Sequence, residues 1–251
     1  MIIVQISDTH IDPGDPASAE RLDDLDRVVR NINALVPAPE AVIHTGDIAH
    51  NGTAEKYQAA LTVLKKLRAP LHVAAGNRDD RNLIRANFYS GRDLMPGTPF
   101  VQFELDFYPV RLIGLDTLSE VSNMGDFCSS RADSLRKALL RDSSKPTVLF
   151  MHHPPFKIKE SKFQWQFDSK QAVDRIVSAI KGQKHVVAVL CGHAHRVSRG
   201  ALAGVPSITV PSVAIDLRLG DLPEAAKAAP VFFIHHFDQD SGFRTELSMA
   251  D

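Results

Sequence analysis

Residues 1–10 read MIIVQISDTH, and the reading of this stretch decides the fold. Ile2 to Ile6 is a short apolar run that begins almost at once and ends at Ser7-Asp8. Such a run, bounded by polar residues, predicts a buried β-strand. Asp8 and His10 follow directly. Working outward, Ala17 to Val36 places Leu22, Leu25, Val28, Val29, Ile32 and Leu35 at helical spacing. Asp15-Pro16 reads as its cap and first-turn pair, and Pro37 and Pro39 as its stop. Ala41 to His44 is a second short strand, ending in Thr45-Gly46-Asp47. Tyr57, Leu61, Leu64 and Leu67 mark a second helix. Leu71 to Ala74 marks a third strand, ending in Gly76-Asn77-Arg78-Asp79. This strand-helix alternation predicts a parallel sheet covered by helices. Sites in open α/β sheets form beyond the carboxyl ends of strands, so three polar clusters can converge there.

The rest of the chain extends the pattern. Phe100 to Leu105 and Val110 to Asp116 read as a hairpin around Tyr108-Pro109, and residues 117–130 as a loop. Ala132 to Leu140 and Gln171 to Ile180 read as helices. Thr147 to Met151 is a strand running into His152-His153-Pro154-Pro155. Val186 to Leu190 is another, entering Cys191-Gly192-His193-Ala194-His195. Four short β-like runs follow: Val197 to Ala203, Pro206 to Val210, Val231 to Phe237 and Phe243 to Leu247. With no repeat, low-complexity segment or linker, residues 1–251 are expected to form a single domain of two packed sheets with helices outside.

Composition narrows the function. Apolar residues make up 44% and charged residues 24%, ordinary for a soluble globular protein. The formal net charge of -1 lacks the basic excess of an electrostatic nucleic-acid binder, and no nucleic-acid polymer is expected as a partner. One Trp and three Tyr leave few platforms for stacking single strands. Two cysteines, Cys128 and Cys191, do not make a disulfide scaffold. Cys191 reads as a small buried filler. No signal peptide or membrane-length apolar run is seen, so a cytoplasmic location away from membranes is expected.

Five strand ends carry D-x-H (Asp8, His10), G-D (Gly46, Asp47), G-N-x-D (Gly76, Asn77, Asp79), H-H-P (His152, His153) and G-H-x-H (His193, His195). Singly, D-x-H and G-D are weak signals, because an Asp after a strand is commonly a turn or cap residue. G-H-x-H is stronger, since two unpaired imidazoles near a core are costly. The ordered set of five is specific. Hard oxygen donors mixed with imidazoles suit Mn, Fe, Zn or Co rather than Ca or a thiolate-bound metal. Seven donors exceed one tetrahedral zinc with an open position and suit two metals sharing a carboxylate.

In this motif order, from Asp8 to His195, the chain resembles the calcineurin-like metallophosphoesterase superfamily. Within it the sequence is similar to class III cyclic nucleotide phosphodiesterases and bacterial glycerophosphodiesterases. His152-His153-Pro154-Pro155, Leu115-Asp116-Thr117 and Pro211-Ser212 add to the likeness. The resemblance implies an α/β fold, a four-layer αββα sandwich with two mixed β-sheets. It implies that Asp8, His10 and His195 bind one metal, that Asn77, His152 and His193 bind a second, and that Asp47 bridges them. His152 is preferred to His153 because the family uses the His two positions before Pro. Mn or Fe is favoured, and a homodimer is expected. The implied activity is hydrolysis of small phosphodiesters, of cyclic nucleotide or glycerophosphodiester type. The implied route is in-line attack by a hydroxide bridging cations ~4 Å apart.

One departure stands out. The family pattern is Gly-Asn-His-Asp or Gly-Asn-His-Glu, and this chain has Gly76-Asn77-Arg78-Asp79. Arg78 can donate a fork of hydrogen bonds to phosphate but does not readily release a proton, which makes it an electrostatic clamp. It also keeps open a phosphomonoesterase or phosphonate-ester hydrolase. A metal-binding interaction scaffold with weak turnover is a third reading. Asp79 and Asp80 are read as caps of the helix that follows or as orienting Asn77, with the cap preferred. His44, His50, His72, His185, His235 and His236 are read as structural or surface residues. Lys157, Lys159, Lys162, Phe163 and Trp165 form a loop read either as lining the substrate entrance or as a solvated loop.

Overall fold

The computed structural model describes residues 1–90, 93–96 and 98–251. Strands β1 (Ile2–Ile6), β2 (Ala41–His44) and β3 (Leu71–Val73) pair in parallel. Helices α1 (Ser18–Ala34) and α2 (Ala54–Leu64) connect them. At the other edge of β1, an antiparallel ribbon completes the first sheet: β10 (Val231–Asp238) pairs with β1, and β11 (Gly242–Met249) with β10. The order is β11-β10-β1-β2-β3.

The second sheet has six strands. Antiparallel β4 (Phe103–Leu105) and β5 (Arg111–Gly114) lead into parallel β6 (Thr147–Met151) and β7 (Val186–Cys191). The hairpin of β8 (Ser198–Leu202) and β9 (Val205–Thr209) adds through β9, giving β4-β5-β6-β7-β9-β8. Helices α3 (Arg81–Phe88), α4 (Ser129–Arg141), α5 (Lys170–Ile180) and the short α6 (Glu224–Lys227) complete the set.

Side-chain alternation creates the layers. In β6, Val148 and Phe150 join a core shared with Ile3 and Ile43 of the first sheet. Leu149 and Met151, pointing the opposite way, join Leu135 and Leu139 of α4 and Ile176 and Ile180 of α5. Strand β7 repeats this, with Ala188 and Leu190 inward and Val189 and buried Cys191 outward. On the far side of the first sheet, α1 buries Leu25, Val28, Val29 and Ile32 at i, i+3, i+4 and i+7. The outcome is helices, mixed sheet, mixed sheet, helices. Among the described residues, no helix is long and apolar enough to cross a membrane.

Differences from the sequence expectation have local causes. Helix α1 spans Ser18–Ala34 and has no side-chain cap. Asp15 instead closes a turn, accepting from the Ala17 amide through Oδ1 at 2.9 Å and from the Ser18 amide through its carbonyl at 2.9 Å. The expected strand from Phe100 begins only at Phe103. The Phe100 amide is taken by Thr98 Oγ1 and the Val101 amide by Asp116 Oδ2, which removes both donors from the ladder. Helix α4 starts at Ser129, earlier than its apolar periodicity implied. A 3-10 turn at Ile215–Leu217 and helix α6 carry no clear periodic signal.

His235 in β10 is fully buried. The Thr245 hydroxyl lies 2.8 Å from its Nδ1, and its Nε2 lies 3.1 Å from Gln5 Oε1. Burial, reinforced by His236, pushes its pKa down to about 3. The unfolded chain therefore binds one more proton than the folded chain between about pH 6.5 and that value. This contribution to stability is present above the unfolded pKa and is lost as pH falls below it. Urea melts of wild type and His235→Gln between about pH 6.5 and about pH 4.5 should differ in slope by about 1.4 kcal/mol per pH unit, the wild type being steeper.

Candidate metal centre

The exits of β1, β2 and β3 in one sheet and of β6 and β7 in the other meet at the same end of the molecule. The Asp8 amide donates to Gly46 O and the His10 amide to Asp47 O, both at 3.0 Å. The His193 amide crosses between sheets to Asp8 Oδ2 at 3.0 Å. Asp8, His10, Asp47, His193 and His195 all have φ between 44° and 66°. Non-glycine residues seldom occupy this left-handed region, and strain of this kind gathers at functional sites. Two glycines make the crowding possible. Gly46 has φ 99°, and a Cβ there would lie 2.7 Å from both Gly76 N and His152 Nδ1. A Cβ on Gly76 would overlap Asp47 Oδ1.

All seven residues singled out in the sequence converge, in two half-sets around Asp47. In the first, His195 Nε2 lies 3.3 Å and His10 Nε2 3.8 Å from Asp8 Oδ1, and the two ring nitrogens are 3.2 Å apart. In the second, Asn77 Oδ1 lies 2.9 Å from His193 Nδ1 and 3.1 Å from His152 Nε2. Asp47 Oδ2 faces both, 3.4 Å from His10 Nε2 and 3.5 Å from His152 Nε2. Asp47 Oδ1 points away and accepts from the Arg78 amide at 2.8 Å.

The donor set fits a pair of cations. Asp8 Oδ1 is fully buried and has no hydrogen-bond partner, although two imidazole nitrogens lie nearby. A buried carboxylate oxygen left in this way calls for a ligand. The rings are oriented from behind. His152 Nδ1 lies 2.8 Å from Thr45 O and His195 Nδ1 2.9 Å from Leu217 O. A carbonyl only accepts, so both Nδ1 atoms carry hydrogen and both Nε2 atoms are aimed at the cluster. His153 differs: Nδ1 meets Thr117 Oγ1 at 2.9 Å and Nε2 meets Asn123 O at 3.2 Å.

Electrostatics agree with this geometry. Burial alone would raise Asp8 and Asp47, but His195, His10 and His152 around Asp8, and His152 and His10 around Asp47, hold both below the usual carboxylate range. Burial lowers His152, yet Asp47 and Asp8 lift it to about 9. Burial and the neighbouring His152 push His193 down to about 3. A cation entering between these groups takes the place of protons.

The surroundings correct several expectations. Asp80 caps α3, accepting from the Leu83 amide at 2.9 Å, but Asp79 does not. Asp79 accepts from the amides of Asp47 at 2.8 Å, Ile48 at 3.1 Å and Gly76 at 2.9 Å, and from the Tyr57 hydroxyl at 2.8 Å. It thus clamps the loops after β2 and β3 together. Burial, then Asp47, lifts its pKa to about 6. His50 is not a remote surface residue: its Nδ1 lies 3.4 Å from His10 Nδ1, in the wall of the cleft above the cluster. That cleft, about 450 Å³, is also lined by Asp15, Arg21, Arg78, Asn123 and Leu217. Arg78 Nη1 reaches Asn51 Oδ1 at 3.2 Å. Lys157, Lys159, Lys162, Phe163 and Trp165 are absent from the lining, and Trp165 borders a separate groove with Phe167 and Val173. No motif marked His50 or Asn123. Asp79 had a motif position, but its acceptors' partners are visible only in three dimensions.

Known proteins are similar to this chain. The chain is 31% identical to "Probable glycerophosphodiester phosphodiesterase GpdQ" of Arcobacter nitrofigilis, over 99% of this chain and 93% of that protein. It is 32% identical to a "Probable cyclic nucleotide phosphodiesterase" of Rhodopseudomonas palustris, over 82% and 76%. Among solved structures, GAP50, the anchor in the inner membrane complex of Plasmodium, superposes with a TM-score of 0.68 at 11% identity, over 99% of this chain and 84% of that one. The last likeness concerns the fold alone. Residues 1–197 match the calcineurin-like phosphoesterase family model, and the chain belongs to that family.

Proposed function

We propose that this protein is a dinuclear metal-dependent phosphodiesterase of small substrates. The observation that carries the reading is Asp47 Oδ2, at 3.4 Å from His10 and 3.5 Å from His152, one oxygen facing two imidazole sets. Asp8, His10 and His195 would hold one divalent cation, Asn77, His152 and His193 the other, and Asp47 both. Manganese or iron is favoured by the mixture of hard oxygen and imidazole donors. The bound cations would supply Lewis acidity to the phosphoryl oxygens and acidify water near neutral pH. Asp8 Oδ1 and the Nε2 atoms of His152 and His195 are pre-aimed for this role, so little reorganisation accompanies loading.

Arg78 is proposed as a clamp on the phosphate. Its guanidinium keeps its charge at any working pH and offers a planar fork to phosphate oxygens. The Arg78 amide meanwhile fixes Asp47 Oδ1. Between the substrate classes in the relatives' names, the cleft favours a glycerophosphodiester. Among the described residues lining it there is no Phe, Tyr or Trp on which a nucleobase could stack, and Leu217 is its one aliphatic side chain. A second reading, phosphomonoester hydrolysis, is favoured by the permanent cation at Arg78, which suits an added negative charge.

Chelation should abolish hydrolysis of an aryl phosphodiester, and two equivalents of Mn(II) or Fe(II) should restore it. Because loss of an outer partner of a metal ligand already costs ~10–100-fold, Asp47→Asn should lose at least ~100-fold in restored activity. Full turnover after chelation would refute the dinuclear reading. Arg78→Ala should lower kcat/KM on the same diester by ~100-fold, the usual cost of one lost donor to a developing oxyanion, with Arg78→Lys between. Unchanged kinetics would remove the clamp. Matched aryl mono- and diesters separate the two substrate readings by whichever has the higher kcat/KM.

A further inference from the structure

Gln5 lies in the middle of β1 between Val4 and Ile6, and none of it reaches solvent. Burying an amide without hydrogen-bond partners is costly. Its bonds explain its presence. Nε2 donates to Thr45 Oγ1 at 3.1 Å and to Cys191 O at 3.0 Å, and Oε1 faces His235 Nε2 at 3.1 Å. Thr45 follows the end of β2 in the first sheet, and Cys191 is the last residue of β7 in the second. The side chain therefore bridges the two sheets immediately behind the metal centre.

Both of its acceptors lead to one half-set. The Thr45 carbonyl accepts from His152 Nδ1 at 2.8 Å. Cys191 is separated from His193 by Gly192 alone, in a turn where the Gly192 amide donates to His152 O at 3.0 Å. None of the three hydrogen bonds of the Gln5 side chain goes to His10 or His195. The Cys191 carbonyl fixes which way the amide points, because it only accepts and so must face Nε2. With Oε1 therefore turned to His235, the His235 Nε2 hydrogen donates to it, and His235 Nδ1 accepts from the Thr245 hydroxyl. We propose that Gln5, held by His235, is a positioning residue that sets His152 and His193 for the cation of their half-set. Satisfied buried networks of this kind fix one arrangement among several packings of similar energy.

The proposal rests on the two-cation reading, and site selectivity tests it. Zinc alone is titrated into wild type, Gln5→Met, His235→Leu and His235→Gln, with binding followed by histidine-ring NMR. Wild type should take up two ions. Gln5→Met keeps the volume and removes all three hydrogen bonds. It should weaken the step that shifts His152 and His193 by ~10-fold, while the step that shifts His10 and His195 stays within ~2-fold. His235→Leu should weaken the same step, and His235→Gln, which keeps a donor at the Nε2 position, should restore it. Should Gln5→Met fail to fold, the His235 pair, remote from both loops, carries the comparison. Equal weakening of both steps, or unchanged zinc affinity in the folded variants, would overturn the brace alone. Fewer than two ions in wild type would overturn the two-cation reading and the brace with it.

Discussion

Two carboxylates, Asp8 and Asp47, share a space from which water is nearly excluded, and the fold is organised around making that tolerable. Burial is the largest cost of ionising either, and Asp8 adds to that of Asp47. Buried charges persist only when opposite charge or strong donors surround them. Here the compensation must come from both sheets, because the strand ends of one sheet cannot supply enough imidazoles. His10 comes from the loop after β1, but His152, His193 and His195 come from the loops after β6 and β7. The parallel pairings of β1 with β2 and of β6 with β7 put these loops side by side at one end. Left-handed backbone at five residues is what it takes to turn the side chains inward over so short a distance.

A second tier of polar groups holds the first. Asp79 gathers the amides of Asp47, Ile48 and Gly76, so the loops after β2 and β3 move as one body. Tyr57 reaches that carboxylate from α2 and ties the helix layer to the same point. His44 plays a smaller part: its Nδ1 accepts from the Gly46 amide at 3.2 Å, and burial keeps it neutral at a pKa of about 3. Apart from the Tyr57–Asp79 bond and the contact of His44 Nε2 with Thr9 Oγ1, these groups spend their hydrogen-bonding capacity on backbone. Mutating any of them would therefore disturb where the inner donors sit rather than which donors exist.

Much of this was legible in the sequence, for physical reasons that differ by element. Strands β2 and β6 match their expected bounds because continuous apolar runs end abruptly in polar residues at both sites. The inner donors were legible because each sits at a strand end in a motif of its own. Helix starts were less so, since caps and turns compete for the same Asp, and Asp15 spent its acceptors on a turn instead. Asp79 illustrates the deeper limit. Its partners on Asp47 and Ile48 lie 32 and 31 positions earlier in the chain, and only Gly76 is local, so little in the sequence distinguishes it from the cap at Asp80. The loop after His153-Pro154-Pro155 failed as an entrance for a related reason. Adjacency to a donor strand says where a loop begins, but this one folds back on itself through the Ile158 amide and Gln164 O at 2.9 Å.

The replacement of a family histidine by Arg78 gains meaning from the charges around it. Two guanidiniums line the cleft, but they are not equivalent. Arg21 is sandwiched between Asp15 at 3.2 Å and Asp216 at 2.7 Å, so an arriving anion meets little of its charge. Arg78 has, among the described residues, only the neutral Asn51 as a side-chain partner. An uncompensated cation beside a low-dielectric cleft attracts an anion more strongly than a screened ion pair does. Its influence already registers on His50, whose pKa is lowered by burial first, then by His10 and Arg78. A histidine at this place would carry such a charge only when protonated, whereas arginine carries it always. On the proposed role of Arg78, the substitution would exchange a proton donor for constant phosphate attraction.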